Sequence, residues 1–426
     1  MMHFILGVGT IGLDYISFMD KYPEEDSKVR SRAHKIGGGG NIGNTATAIS
    51  RLGLCRVGLL TQVGRDSNAT SILDELKRDG VDTSLVVQNS EITTPFTYII
   101  VDSTNNTRTC IHTPMEREMT VEQIRQIVVW DGKPHKNGSA TKGPMGFKLP
   151  FLIHLDSRQT EASLELVKTY ERYREMDESG NFKKPIISID CEKYRPPLMR
   201  TLLDHCDVVF TNEKFPEIFH QIKDPEVEQG FPGIGLRCIH DRGNAEVSGL
   251  SVVLGEDEEL LASILKKVNG MADISCAGKI SMVITSLGAM GSLLLCGSNH
   301  RGHKYGPGPD GLERPIKMFE FSRDESERDQ DGVLGSASYR QTYRVLYCPA
   351  FPLTPESVVD TTGAGDAFIG GFLSTFCQPS RQNDLCGAMI MGTLTAAKKI
   401  MKSGARDGLP ISPEDLRDMY NLFSMC

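Results

Sequence analysis

One acidic residue stands where it could drive a reaction. Asp366 lies near the end of the run Val358-Val359-Asp360-Thr361-Thr362-Gly363-Ala364-Gly365-Asp366-Ala367-Phe368, and residues 369–376 continue that run at helical spacing. A Gly-Ala-Gly turn that opens a helix exposes unpaired backbone N–H groups at the positive end of the helix dipole, which attracts phosphate oxygens. A carboxylate at the turn's exit meets a substrate hydroxyl in front of that anion site and can take its proton. For an isolated G-A-G-D, an ordinary first-turn acid would be the better reading. The long ordered run favours the chemical one.

A second group lies near the N-terminus, where Gly37-Gly38-Gly39-Gly40-Asn41-Ile42-Gly43-Asn44 follows Asp14 at a distance. Consecutive glycines let the backbone approach a ligand closely, and Asp14, Asn41 and Asn44 supply the acceptors and donors a polyol needs. Without Asp366, a flexible hinge beside polar helix caps would explain the same residues. A third group, Thr285-Ser286-Leu287-Gly288-Ala289-Met290-Gly291, follows a predicted strand; alone it is a common turn pattern. Gly7-Val8-Gly9-Thr10-Ile11-Gly12 is a literal G-x-G-x-x-G, but a dinucleotide fingerprint needs a helix directly after it. Residues 15–18 alternate like a strand and Pro23 breaks the segment, so that context is missing. No G-x-x-x-x-G-K-[ST] occurs, which excludes a P-loop kinase.

The elements that must hold these residues alternate between strand-like and helix-like runs, the signature of a parallel sheet covered on both faces. Strands are predicted at residues 4–8, 57–60, 151–155, 186–189, 208–210 and 282–285. Helices are predicted at 42–52, ending at Gly53, and at 71–78, ending at Gly80. Thr120-Val121-Glu122-Gln123 has the form of a capping box. Residues 15–18, 96–101 and 107–113 are β-branched and aromatic with no helix between them, and Asn105-Asn106 suits a hairpin turn. They read as a small separate sheet. Residues 131–147, 223–251 and 298–343 look inserted, the last with a charged run from Arg323 to Asp329 that reads as a solvated loop.

Composition narrows the partners. The 426 residues are 39% hydrophobic and 24% charged, ordinary globular values, with no apolar run long enough to span a bilayer. A net charge of -8 removes the usual basis for binding nucleic acid. Eleven cysteines with no C-x-x-C pair fit reduced thiols, and the N-terminus shows no secretory pattern, so the expected location is the cytoplasm, with no membrane partner.

D-T-x-G-A-G-D-x-F resembles the C-terminal signature of the ribokinase-like (PfkB-type) carbohydrate kinases, and the glycine-rich segment with Asp14 resembles their sugar-binding segment. Asn41 after the glycines, with residues 151–156, 187–193, 207–210 and 350–352, is most similar to ketohexokinases. The resemblance implies a three-layer α/β/α sandwich with a mostly parallel sheet and a small β-sheet lid. The core would comprise residues 1–12, 41–92 and 116–426, and the lid 13–40 and 93–115, with a homodimer forming through the lid. It implies ATP and Mg2+ as cofactors, with K+ at Asp360 and Thr362. The catalytic set would be Asp366 with Gly363, Ala364 and Gly365. The sugar would meet Asp14, Gly39, Gly40, Asn41 and Asn44, and ATP would meet Arg108, Asn212, Ser286, Gly288 and Gly291.

The family's N-x-x-E is broken, because Phe215 holds the glutamate's slot after Asn212; Glu213 and Glu217 are the substitutes at hand. Carboxylates and amides, with no lysine or arginine among the motif residues, imply a free sugar over a phosphorylated one, with a ketohexose such as fructose ahead of ribose or a nucleoside. The reading from a different class is a catalytically silent, kinase-like binding module.

Overall fold

The computed structural model describes residues 2–105, 107–128, 149–177, 180, 182–221, 258–278, 280–297, 315–328, 334–381 and 384–423. The first half runs β1 (Phe4–Val8), β2 (Gly12–Met19), β3 (Ala33–Gly39), α1 (Asn41–Leu52), β4 (Arg56–Val63), α2 (Ser67–Arg78), β5 (Asp82–Gln88), β6 (Phe96–Asp102), β7 (Thr107–Thr113) and α3 (Val121–Ile127). Then come β8 (Leu152–Leu155), α4 (Thr160–Met176), β9 (Ile186–Cys191), α5 (Met199–Leu203), β10 (Val208–Thr211), α6 (Phe215–Gln221) and α7 (Glu258–Gly278). The last part holds β11 (Met282–Ser286), β12 (Ser292–Gly297), β13 (Lys317–Arg328), β14 (Leu334–Cys348), α8 (Ala364–Phe376), α9 (Leu385–Ile400) and α10 (Arg417–Phe423).

Ten strands form the main sheet in the order β13-β14-β12-β11-β10-β9-β8-β1-β4-β5. From β11 through β5 every neighbouring pair is parallel, and β12, β14 and β13 close one side antiparallel. Side chains alternate between the two faces along each strand, so each face needs its own apolar cover. Leu6, Val8, Leu60 and Ile153 pack under Val167 and Tyr170 of α4, Phe215 of α6 and Met271 of α7. Ile5, Val57 and Leu59 face the other way, against Ile42 and Ile49 of α1, Ile72 of α2, Phe372 of α8 and Met389 of α9. This is the expected three-layer sandwich.

A second sheet, β3-β2-β6-β7, holds β2 and β6 parallel with antiparallel partners on either side. β1 passes into β2 with no helix between them, so the G-x-G-x-x-G has no dinucleotide context. Local signals hold where they rest on neighbouring atoms. Gly53 ends α1 in the left-handed region at φ 64, and Thr120 and Gln123 form both bonds of the capping box. α2 starts at Ser67, four residues before the predicted position, because the Asp66 carboxylate accepts from Ala69 N–H at 2.8 Å and caps it there.

Two of the three inserted stretches, 131–147 and 223–251, lie outside the described residues, as does Asn106 of the proposed turn. The third corrects the reading. Residues 323–328 of the charged run are strand, not loop: they belong to β13, which pairs with β14 in the register Arg323↔Gln341 to Ser326↔Ser338. An edge hairpin satisfies its backbone through the ladder whatever charge its sequence carries, so charge density alone did not mark a loop.

Candidate active site

In parallel α/β sheets, ligands bind at the carboxyl ends of the strands. Here that edge carries Thr10 after β1, Arg158 after β8, Asp190 and Glu192 at the end of β9, Asn212 after β10 and Ser286 of β11. All of them line one cleft of about 540 Å³. Asp14, Thr97, Arg108 and His112 line it from the second sheet, and Thr362 to Asp366 from the start of α8.

Gly363, at φ 73, turns the chain into α8, and no side chain caps that helix. Ala364 N–H turns back to Thr361 O at 3.2 Å, which leaves Gly365 and Asp366 as the first-turn groups beyond that bond. Asp366 is buried, and its Oδ2 accepts from Asn44 Nδ2 at 2.8 Å. Burial pushes its carboxyl up to about 7, with Glu192 and Asp156 adding to the rise while the Asn44 bond and Arg158 oppose it. A carboxylate poised near neutrality is suited to proton abstraction.

The glycine-rich segment proves to be shaped by protein groups as much as by any ligand. A methyl at Gly39 would stand 2.5 Å from Asp14 Oδ1, and one at Gly38 or Gly43 would stand 2.1 or 2.4 Å from the Arg406 guanidinium. Gly40 sits at φ 85 and opens α1. Arg406 is 3% exposed; it donates from Nε to Asn44 Oδ1 at 2.9 Å, from Nη2 to Gly39 O at 3.0 Å and from Nη1 to Glu75 Oε1 at 3.1 Å. This guanidinium therefore sets which way the Asn44 amide faces. Asn41 accepts from Arg158 Nη2 at 3.2 Å and donates to Asp190 Oδ2 at 3.3 Å. Burial pushes Asp14 up to about 6 and Asp190 to about 8, the latter also repelled by Asp366 and Glu192.

On the opposite side of the cleft, Asn212 is fully engaged: Oδ1 accepts from Lys214 and Phe215 N–H at 3.1 and 3.0 Å, and Nδ2 donates to Glu192 O at 2.9 Å. Ser286 lines the cleft, whereas Gly288 and Gly291, at φ 59 and 101, form a turn outside its lining. Gly39 and Asp360 are also outside the lining. Arg108 Nη1 reaches Asp360 Oδ1 and Thr361 Oγ1, both at 3.3 Å, joining the second sheet to the turn. Phe215 is wholly buried and stacks on Phe219. Glu217 is bound to Lys266 and Lys267 at 2.9 and 3.1 Å, and Glu213 is exposed, so neither lies in the cleft.

The structure therefore gathers Asp14, Gly40, Asn41, Asn44, Arg108, Asn212, Ser286 and Thr362 to Asp366 around one cleft. It adds Arg158, Asp190 and Glu192, which motif reading passed over although residues 187–193, the segment of the two carboxylates, were noted; carboxylates at the ends of parallel strands were the available signal for those two. Lys193 lines the cleft too, and with it Arg158 corrects the expectation that no lysine or arginine stands there. The Arg158 charge is already opposed by Glu192 at 3.2 Å. Among the described residues no group of three or more His, Cys, Asp or Glu side chains is arranged to hold a metal ion; Asp190 and Glu192 are the carboxylates at the end of β9, and Asp190 is repelled by Asp366 and Glu192.

Comparison with known proteins adds three findings. The sequence profile of the "pfkB family carbohydrate kinase" matches residues 2–136 and 330–412, just over half of the chain. A ketohexokinase from Mus musculus is 28% identical over 214 residues, 49% of this chain and 63% of that protein, and a nucleoside kinase from Methanothermobacter thermautotrophicus is 30% identical over 102 residues, 24% and 33%. The chain thus aligns with less than two thirds of the length of these curated relatives. Among solved structures, Arabidopsis thaliana ribokinase complexed with ribose and ATP superposes with a TM-score of 0.60 at 14% identity, covering 99% of both chains. Methanocaldococcus jannaschii nucleoside kinase superposes with a TM-score of 0.56 at 17% identity, again over 99% of both. At such identities the likeness speaks for the fold.

Proposed function

The chain belongs to the pfkB family of carbohydrate kinases, and from that premise we propose that it transfers the γ-phosphoryl group of ATP to a sugar hydroxyl with Asp366 as general base. The observation that carries this reading is the placement of a buried carboxylate, raised to about 7, at the uncapped start of α8 within the cleft that Asp14, Asn41 and Asn44 also line. In the step, the acceptor hydroxyl gives its proton to Asp366 and its oxygen bonds to the γ-phosphorus. The bond from that phosphorus to the β–γ bridging oxygen breaks, and ADP leaves with the electron pair. Gly365 and Asp366 N–H groups and the Arg108 guanidinium face the charge that gathers on the phosphoryl oxygens. Mg2+, arriving with the nucleotide, would neutralise phosphate charge beside Asp190 and Glu192. The second sheet acts as a lid over the acceptor and excludes water, which would otherwise take the phosphoryl group.

The proposed acceptor is a free ketohexose such as fructose, ahead of ribose or a nucleoside. Its support is the ketohexokinase relative, the carboxylate and amide lining, and the pairing of Arg158 with Glu192. Coupled ADP release with Mg2+ and fructose, ribose, adenosine or fructose 6-phosphate tests both levels. A higher kcat/KM for the phosphate ester overturns the free-sugar reading, and preference for ribose or adenosine overturns only the order. Silence across the panel favours the binding-module alternative.

We place the reaction in the cytoplasm, where ATP is supplied and the free cysteines described here stay reduced; no helix among the described residues is long and apolar enough to cross a membrane. The lid face turned away from the cleft carries Ile36, Tyr15, Tyr98 and Ile111 as direct cross-strand partners, with Ile36, Tyr98 and Ile111 half exposed. One continuous apolar row across four strands suits a second copy of the same sheet. Light scattering at micromolar protein should return twice the chain mass; an active monomer would sink this assignment.

A further inference from the structure

Asp360 and Thr362 stand where the resemblance places a monovalent-cation loop, and the residues present do not fit that ion. Asp360 Oδ1 accepts from Thr362 N–H at 2.8 Å and from Thr362 Oγ1 at 2.7 Å, Arg108 stands 3.3 Å from the same oxygen, and Oδ2 accepts from Gly404 N–H at 2.8 Å. Two carbonyls of the facing segment are engaged as well. Ile400 O accepts from both Val359 and Asp360 N–H, and Ser403 O accepts from Lys35 Nζ at 2.9 Å. A further acceptor, Asp360 O, is met by Lys399 Nζ at 2.6 Å.

Lys399 lies in the last turn of α9 and is 0% exposed. Its hydrogen bond is to that single peptide carbonyl; burial pulls its ammonium down to about 8, with Arg108 and Lys35 adding to the fall and the carboxylates of Asp360 and Asp366 opposing it from a distance. An ammonium taken out of water with so little direct pairing costs stability, so its position calls for a use of the charge. The carbonyl it holds belongs to the peptide that leads into the anion turn. A cation held there fixes that entering peptide and adds positive charge near the place where phosphate charge gathers.

We propose that the Lys399 ammonium is the resident monovalent cation of the anion turn, supplied by α9, so that this protein takes no potassium ion at Asp360 and Thr362 and needs none. The inference rests on the phosphotransferase reading only for its activity arm. Melting temperature is the independent readout, measured with ADP present in KCl, NaCl and tetramethylammonium chloride at equal ionic strength. The wild type should melt at the same temperature in all three, because an ion that does not bind the folded state contributes nothing by mass action. Lys399→Ala opens a space at Asp360 O and should gain a potassium-specific rise in melting temperature, whereas Lys399→Met, which fills the space without charge, should not.

In the ADP-release assay, wild-type turnover should be independent of the cation. Lys399→Ala should lose turnover by at least about tenfold, the equivalent of about 1.4 kcal/mol, and regain much of it in KCl. A potassium-specific rise in wild-type melting temperature or turnover overturns the proposal, and so does an Ala variant that melts alike in all three salts. Should Lys399→Ala fail to fold, the wild-type comparison decides alone. Should no acceptor be phosphorylated, the functional reading fails while the melting data still judge the cation.

Discussion

Asn44 Nδ2 stands 2.8 Å from Asp366 Oδ2, joining the first turn of α1 to the first turn of α8 across 322 positions of chain. Because Arg406 claims the other end of the same amide, Asn44 offers Asp366 a donor and not an acceptor. The bond favours the ionised carboxylate and opposes the burial that raises it.

The base assignment predicts that Asp366→Asn lowers turnover by about 10²–10⁴-fold while the affinity for ADP stays nearly unchanged. Only the ionised form accepts a proton, so wild-type kcat/KM should climb with pH through about 7 and level off above it. Asn44→Ala removes a bond to the charged form and should move that limb to higher pH. A mutant at position 366 that keeps most of its turnover, or a pH limb indifferent to Asn44, would dismiss the assignment.

Arg406 predicts a division between stability and orientation. Arg406→Met leaves Glu75 Oε1, Gly39 O and Asn44 Oδ1 without the guanidinium donor and should cost about 3–5 kcal/mol in chemical denaturation. Arg406→Lys keeps the charge but cannot reach all three acceptors. It should fold, and its acid limb should shift upward as the Asn44 amide loses its fixed direction. If the limb stays in place, the guanidinium is only structural.

For the acceptor side, Asp14→Ala and Asn41→Ala should each raise the acceptor KM by at least about tenfold, the scale of a lost hydrogen bond to a charged group. ADP affinity measured by calorimetry should hold. Equal damage to both ligands would mean that the glycine-rich segment serves folding and not recognition.

The ligand-free protein should lose stability as pH rises from about 6.5 to 8. Asp366 and Asp190 are raised to about 7 and about 8, so in this window the folded state holds protons that the unfolded chain has released, and stability falls as pH climbs through those values. His154, buried and lowered to about 3, acts in the opposite sense but only below its ordinary value of 6.5, and Lys399, lowered to about 8, opposes the fall only at the upper edge of the window. Melting temperatures across the window should slope downward, and Asp190→Asn should flatten the slope. A wild-type profile that is flat or rising would contradict the burial, aided by mutual repulsion, that raises Asp190 and Asp366.

Much of this architecture is legible in the chain because its causes are local. The apolar run that marks β1, the left-handed stop at Gly53, the capping box at Thr120 and the Gly363 turn ahead of Asp366 each depend on atoms within a few residues. Sequence alone therefore determined the alternating α/β order, the second sheet and the principal candidate base. It could not show that Gly38 and Gly43 make room for Arg406, that Glu217 is tied to Lys266 and Lys267, or that residues 323–328 pair in an edge hairpin. Nor could it show that Lys399 meets Asp360 O. Those facts concern which charged group meets which partner once burial has removed water. That choice is made by segments far apart in sequence, so only the tertiary structure decided the direction of the Asn44 amide and the cation beside the anion turn.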